Sequence, residues 1–500
     1  MAKKLIIGIV YVIWSIGLWG IMYDPGTPST VFFILWSVIF LLLNYDIRQK
    51  KHSLWRNYPI IGRLRWVFES QRDKIRQYFN ESDTDGKPFS KEQRSIVYQR
   101  SKGELETVPF GTKHDVTEVG HEYVEHTHNP KEVLTNRIMI GANTCPNPYS
   151  SSIMNISAMS YGSLSGAAVR ALNKGAKLGM FYQNTGEGGI STHHEQGGDL
   201  VFQFGTGYFG CGETVNYTRV FNEQRFLASV MKDQVKMIEI KRSQGAKPGH
   251  GGMLPAKKNT VEIAKIRCVE PHIAIDSPPH HSAFSNDVEM CAFIQRLRTL
   301  TGKPVGIKMC IGSRKEFSKM VKTFRKEGIW PDFISIDGSE GGTGSAPLEF
   351  TNSVGTPLAE ALVFTNEVLK KNKLREDVKI IASGKIIDVF DIYRAMALGA
   401  DAVNVARGFM FSLGCIQAVE CNKDTCPVGI ATQNKSLEKG LVVEEKWERV
   451  YNYQFNTVRK FLDFVGVTGL SSISDIKPTM VYRRTNKGFV TLKEYYSITS

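Results

Sequence analysis

Two long uncharged apolar runs open the chain. Leu5–Met22 (LIIGIVYVIWSIGLWGIM) is followed by a turn, Asp24-Pro25-Gly26-Thr27-Pro28, and then by Thr30–Asn44 (TVFFILWSVIFLLLN). Each run approaches the roughly 20 residues that a helix needs to cross a bilayer core. A secretory signal is the competing reading. The first run is long for one, has no small-residue cleavage site and leads directly into a second apolar run. The pattern therefore predicts a two-helix transmembrane hairpin over residues 1–50. Lys3 and Lys4 flank one end, Arg48, Lys50 and Lys51 the other, and the turn between is acidic. The positive-inside rule then places both termini, and the body of the protein, in the cytoplasm at the cell membrane. Trp19, Tyr23 and Tyr45 lie near the ends of the runs, where aromatic belts form.

Residues 51–143 are mixed. Trp66–Phe79 (WVFESQRDKIRQYF) repeats its apolar positions near the helical period and predicts one amphipathic helix in a connector that packs on the main domain. From residue 144 to about 470 short apolar runs alternate with polar or Gly-rich turns and helical stretches. The candidate strands are Ile153–Met159, Met180–Asn184, Val235–Ile240, His272–Ile275, Val305–Met309, Phe333–Ile336, Val378–Ala382 and Ala402–Val405, the fourth being the least regular. Strand–helix alternation means a parallel sheet. Eight strands suit a closed (β/α)8 TIM barrel in the α/β class, with an open doubly wound sheet as the alternative. The barrel is favoured because the turns after these runs are loaded with chemistry: Ser160-Tyr161-Gly162, Thr185–Gly189, Lys241–Lys247, Asp337–Gly344, Ser383-Gly384-Lys385 and Arg407-Gly408. In a barrel all of them meet at one mouth. Residues 471–500 read as a C-terminal extension.

Composition narrows the reading. Hydrophobic content of 42% and charged content of 22% exclude wholesale disorder. A net charge of +14 raises nucleic acid as a partner, yet the basic residues are dispersed and no nucleic-acid motif is present. Basic residues beside the hairpin, facing anionic membrane lipid, account for part of the excess. Of eight cysteines, five are scattered and three crowd into Cys415-x5-Cys421-x4-Cys426-Pro427. Thiolates bind soft metals, and a Pro after the last Cys recurs in iron–sulfur sites. Zinc would want four ligands in paired spacing. Three thiolates suit a three-iron cluster, or a four-iron cluster with a non-cysteine or missing ligand; three incidental core cysteines are the plainer alternative. Glycines at Gly338–Gly344 let backbone N–H groups approach a phosphate, and Ser383-Gly384 and Arg407-Gly408 follow the last two candidate strands, where barrels hold phosphates. FMN carries one such phosphate. Gly205–Gly210 matches G-x-G-x-x-G, but Cys211-Gly212 and Tyr217 make a poor helix start, so it reads as a turn. Lys241, Lys247, Arg267 and Lys308 lie in or just beyond candidate strands, where buried cations need anionic partners. His280-His281 after Pro278-Pro279 reads as a loop rather than a metal site.

Six blocks then carry a resemblance: SAMSYGSLS (Ser157–Ser165), QNTGEGG (Gln183–Gly189), EIKRSQGAKPGHGGMLP (Glu239–Pro255), DSPPHHSAFS (Asp276–Ser285), IDGSEGGTGSAPL (Ile336–Leu348) and GCIQAVECNKDTCPVGIATQ (Gly414–Gln433). Together they resemble the synthase domain of glutamate synthase, and especially the membrane-attached FMN-binding glutamate synthase proteins. The resemblance implies FMN at the mouth of a barrel, contacted by Ala158, Met159, Ser160, Gln203, Lys308, Gly341, Gly342, Thr343, Gly344, Ser383, Gly384, Lys385, Arg407 and Gly408. It implies a 3Fe-4S cluster on Cys415, Cys421 and Cys426, within loop 414–433. Glu187, Lys247 and Arg267 would serve the 2-oxoglutarate site. In the family reaction 2-oxoglutarate and ammonia give 2-iminoglutarate, which reduced FMN converts to L-glutamate. Electrons enter through the cluster from a donor such as ferredoxin or a separate reductase. Two positions depart from the family pattern: Met253 stands where Gln is usual, and Tyr208 where a basic residue is usual. They keep open a related flavoenzyme acting on another keto acid, imine or N-substituted glutamate. A membrane-held electron-transfer subunit without turnover is a third expectation, and an anion pocket at Glu187, Lys247 and Arg267 speaks against it. The glutamine amidotransferase domain with its N-terminal cysteine is expected to be missing, Met1-Ala2 standing at the start, and so is an NAD(P)H-binding domain.

Overall fold

Helices α1 (Ala2–Tyr23) and α2 (Thr27–Arg48) form the hairpin that the two apolar runs predict. In the computed structural model, which describes residues 2–248 and 252–498 apart from the side chains of Ala2 and Met253, the chain divides into units Met1–Pro88 and Phe89–Ser500. In the first unit, α1 and α2 pair through a small set of matched side chains. Tyr11 donates to Asn44 Oδ1 (3.3 Å), Trp14 Nε1 donates to Ser37 Oγ (3.0 Å), and the Trp14 ring stacks on Phe40 at 4.6 Å. Each polar group thus has a partner, which an apolar surrounding demands. The remaining surface of both helices is apolar and exposed, including Leu5, Val12, Ile16, Val31, Leu35 and Leu41. Both are long and apolar enough to cross a membrane. Beyond them lie α3 (Ser53–Asn57) and α4 (Gly62–Ile75), the latter running into a π-helical turn, Arg76–Asn80. This is the amphipathic helix expected over Trp66–Phe79.

The second unit is a closed barrel of eight parallel strands: β1 (Met154–Ile156), β2 (Gln183–Asn184), β3 (Leu200–Phe204), β4 (Val235–Lys241), β5 (Val305–Met309), β6 (Phe333–Asp337), β7 (Lys379–Ser383) and β8 (Ala402–Val405). Neighbours follow chain order. β8 pairs back onto β1, and β4 meets β5 with Lys308 opposite Lys241. One member of the predicted set is corrected. His272–Ile275 contributes no barrel strand; only Ile275–Asp276 pairs, antiparallel, with Met253–Leu254 in the long β4–β5 connection. The missing strand is β3, whose sequence Leu-Val-Phe-Gln-Phe is buried at every position. A strand covered on both sides shows no alternation to read.

Inside the barrel Val201, Met237, Phe333 and Ile381 form one buried layer with Tyr182. The hairpin of Arg137–Ile140 and Tyr149–Ser152 adds Ile140 and Tyr149 to it, plugging the end opposite the site. Helices begin at side-chain caps: Asn286, Ser313 and Asp388 each accept from the backbone N–H three residues on, as does Ser165 at the start of the helix Gly166–Gly179. The helix Val443–Val467 runs over that last one, seated closely because Gly175 has no side chain: a Cβ there would come within 2.5 Å of Val450. The C-terminal residues return as strands Val481–Thr485 and Gly488–Thr491 beside Glu122–Val124.

Candidate active site

The carboxyl ends of all eight strands open onto one cleft. Ala158, Met159, Ser160, Gln203, Lys308, Gly341, Gly342, Thr343, Gly344, Ser383, Gly384, Lys385 and Arg407 line it, together with Glu187, Lys247 and Arg267. Of the expected residues only Gly408 and two of the cysteines stay off its wall. Gly408 faces inward, where a Cβ would meet the Tyr453 hydroxyl at 2.3 Å, so its smallness serves packing.

At one end the β6 turn folds tightly. Gly341 N–H donates to Gly338 O (2.9 Å), and a Cβ on Gly341 would lie 2.9 Å from that same oxygen. Glu340 accepts from the backbone N–H of Leu358 (3.0 Å), which holds the turn from behind. Arg407 crosses from β8 and donates to Thr343 O (3.0 Å), leaving glycine N–H groups and a guanidinium on one wall. That is the chemistry of a phosphate cradle.

At the centre lies a carboxylate that sequence reasoning misses. Glu239, on β4, is buried and accepts from Asn184 Nδ2 (2.7 Å), Gln203 Nε2 (2.5 Å) and Ser335 Oγ. It thereby fixes Gln203 at the cleft wall. Lys308 Nζ stands 3.5 Å from Asp337 Oδ2. Burial alone would push Lys308 down, but the Asp337, Glu239 and Glu187 carboxylates outweigh it and hold the ammonium above its ordinary range.

The far wall is cationic. Glu187 accepts from Lys241 Nζ at 2.6 Å. Burial would raise its pKa, yet Lys241, Arg267 and Lys247 hold it below the usual carboxylate range. Arg267 is buried, sits 5.0 Å over the Phe209 ring, donates to Tyr161 O (3.3 Å) and has no partner for Nε. Burial pushes it down to about 10 against the opposing pull of Glu187. Lys247 is buried and lowered by burial and by Lys241. Among the described residues neither Lys247 nor Arg267 has a carboxylate within ion-pair distance. Two such cations at a cleft are costly without an anion.

Behind this wall Tyr208 and His281 are joined. The Tyr208 hydroxyl accepts from Ala283 N–H (3.0 Å) and faces His281 Nδ1 (3.1 Å), while His281 Nε2 reaches Lys241 O (2.9 Å). A carbonyl can only accept, so Nε2 carries the proton and Nδ1 receives the tyrosine hydrogen. Burial holds His281 neutral, at about 4. Tyr208 is thus a buried support for Lys241 rather than part of the cleft lining, and His281 belongs to the loop packing. The Met253 side chain lies outside the described residues.

The cysteine loop abuts the glycine turn: a Cβ on Gly344 would lie 3.9 Å from that of Cys421. Cys421 lines the cleft, with Arg407 Nη1 3.7 Å from its sulfur. Lys258, buried, donates to Cys421 O (3.0 Å) and Ala431 O (3.4 Å), and Tyr98 donates to Cys415 O (2.5 Å). Burial raises the Cys415 thiol to about 11, opposed by Arg407 and reinforced by Cys421 and Cys426. The three sulfurs are therefore electrostatic neighbours. Among the described residues no three His, Cys, Asp or Glu side chains converge on a single ion.

Comparison with known proteins agrees with this arrangement. The family described as "Conserved region in glutamate synthase" matches residues 97–471. The chain is 38% identical over 492 residues to the glutamate synthase large subunit-like protein YerD of Bacillus subtilis (strain 168), covering 89% of this chain and 93% of that one. It is 32% identical over 361 residues to the archaeal glutamate synthase (NADPH) of Methanocaldococcus jannaschii, covering 71% and 66%. It is also 32% identical over 324 residues to the archaeal-type glutamate synthase (NADPH) of Thermotoga maritima, covering 64% and 60%. The chain thus spans most of the first relative and about two thirds or less of the other two.

Proposed function

The chain belongs to the glutamate synthase family, and from that premise we propose that it is a membrane-attached oxidoreductase converting 2-oxoglutarate and ammonia, through 2-iminoglutarate, to L-glutamate. One observation carries the reading: Lys247 and Arg267, both buried and without a carboxylate partner among the described residues, flank the ionised Glu187 at the cleft. A dicarboxylate keto acid supplies one anion to each cation, in charge-assisted hydrogen bonds. Glu187 accepts N–H hydrogens at the nitrogen end of the substrate, and Lys241 keeps that carboxylate ionised and fixed. The cleft walls shield the imine from water, which would otherwise hydrolyse it back to the keto acid and ammonia.

FMN fits the opposite wall. The Gly341–Gly344 turn with Ser383–Lys385 and Arg407 would hold its phosphate, and Gln203 and Lys308 would face the polar edge of the ring; when bound, FMN supplies the hydride. The donor set at Cys415, Cys421 and Cys426 fits a 3Fe-4S cluster. Such a core is several ångströms wide and takes one thiolate at each iron, so its ligands need not converge on a point. Arg407 and Lys258 beside Cys421 offset thiolate charge. The cluster would pass electrons from a ferredoxin-like donor or a separate reductase. Residues 1–50 would anchor the body to the cytoplasmic side of the cell membrane, with residues 144–470 carrying the site.

A second reading, turnover of another imine or an N-substituted glutamate, rests on Met253 alone, because Tyr208 is buried behind Lys241. The test is direct. Purified protein is photoreduced and mixed with 2-oxoglutarate and ammonium. Prompt reoxidation with stoichiometric glutamate is expected. Reoxidation only by other imines moves the assignment to the second reading, and none with any imine leaves an electron-transfer subunit.

A further inference from the structure

Helix α4 carries a surface that the proposed reaction does not use. Leu64, Val67, Phe68 and Ile75 recur at helical spacing and continue through Tyr78 and Phe79 in the π-helical turn. At about 100° per residue they share one stripe roughly 120° wide. All six are exposed, Phe68 at 64% and Phe79 at 83%. Arg65, Arg72 and Arg76 line one border of the stripe and, with Phe68 and Ile75, a shallow concavity along it. Lys74 stands at the other border, Glu69 lies among the arginines of the concavity, and Asp73 falls on the opposite face. Arg65 has no carboxylate within ion-pair distance among the described residues, Arg72 has only Glu69 at 3.9 Å, and Arg76 is paired with Glu81 at 3.1 Å. An apolar stripe bordered by cations on both sides is unsuited to water and suited to the boundary between acyl chains and anionic headgroups.

The start of α4 is held at the end of α2. Asp46, buried in the last turn of α2, accepts from Arg63 Nη2 (2.6 Å), Arg63 Nε (3.0 Å) and the Ile60 N–H (2.9 Å). The Arg63 guanidinium is stacked over Trp55 at 4.3 Å and lies 5.7 Å from the Tyr45 ring. The chain leaving α2 therefore does not swing free; α4 begins at the level where α2 ends. We propose that α4 is an interfacial helix lying on the cytoplasmic leaflet, its apolar stripe at the acyl boundary and Arg65 and Arg72 on the phosphates of anionic lipids. The proposal rests on the reading of α1 and α2 as membrane-spanning. Continuity with those helices and the charge of the border select a lipid surface over a second copy of the chain.

The full-length protein, reconstituted into phosphatidylcholine vesicles with or without phosphatidylglycerol, tests it. The photoreactive p-benzoylphenylalanine replaces Phe68 in one variant and Asp73 in another, and adducts are identified by mass. Lipid adducts at position 68 are expected in about threefold or greater excess over position 73, rising with phosphatidylglycerol. The combined Arg65→Glu and Arg72→Glu variant should lose that dependence on anionic lipid while resisting alkaline extraction as before. Adducts to a second copy or to another stretch of the same chain, or equal lipid labelling at both positions, would overturn the proposal. Failure of the spanning reading shows separately, as release of the unmodified protein by alkaline carbonate.

Discussion

Lys247 illustrates how much a single residue can decide. Its pKa is lowered by burial and by Lys241, so it loses its proton at lower pH than an exposed lysine. Affinity for a dianionic keto acid should accordingly decline as pH rises through the depressed Lys247 value. Glu187, held below the ordinary carboxylate range, adds no acid limb until well below neutrality. Lys247→Arg should move the alkaline limb upward, because a guanidinium stays charged. Lys247→Ala should abolish the limb and lower kcat/KM about a hundredfold, near 3 kcal/mol, while the flavin spectrum stays unchanged. An alkaline limb that is identical in Lys247→Arg would remove Lys247 from the substrate site. A basic residue in or just beyond a candidate strand is enough to single out Lys247, Arg267 and Lys308 from sequence, although Arg267 proves to end a helix, Val261–Arg267, and Lys308 to lie within β5. Glu239 and His281 are not legible in the same way. Their meaning comes from partners far away in the chain, Asn184, Gln203 and Ser335 for one and Tyr208 and Lys241 for the other. Spacing along a chain does not encode such meetings.

Elements tell the same story one level up. Seven of the eight strands are readable, β6 and β8 among them although they too are buried throughout; β3 passes unseen, and its place goes to a segment that makes only a two-residue pairing. The number of strands survives because closure needs eight, not because each is recognised. The cysteine loop shows a comparable split: its three cysteines are plain from spacing, but what holds the loop is not. Lys258 follows Met253–Leu254, after β4, and reaches across to Cys421 O and Ala431 O, so one buried ammonium ties the substrate-side connection to the loop. Lys258→Met keeps the bulk of the stem and removes both bonds. It should free the loop, lowering iron and acid-labile sulfide per chain severalfold while bound flavin changes little, as read by metal analysis and by the flavin absorbance after acid release. Equal iron in Lys258→Met and the parent would show that the loop is held by Tyr98 and its own turns instead.

For the molecule taken entire, the question is whether the barrel depends on the N-terminal hairpin. Its main hydrophobic core draws on residues from Phe89 onward, beginning with Phe89 and Val97 and ending with Val481 and Leu492. The internal layer is likewise built from Ile140 to Ile381. No residue of the first unit belongs to either cluster. A closed barrel has no edge strand left to protect, so removing the hairpin exposes no ladder of unpaired backbone groups. Deleting residues 1–50 should therefore yield a chain that alkaline carbonate releases from membranes yet retains flavin, iron and glutamate formation with an artificial donor within about twofold of the intact protein. Its unfolding midpoint should shift by no more than a few degrees, since the core terms are unchanged. Activity with the physiological donor is a different matter. If that donor is itself in the membrane, tethering raises its effective concentration, and the truncated chain should lose turnover with it in proportion to dilution while keeping the artificial-donor rate. A truncated protein that cannot bind flavin would mean that the first unit completes the barrel after all, contrary to the division of the two cores.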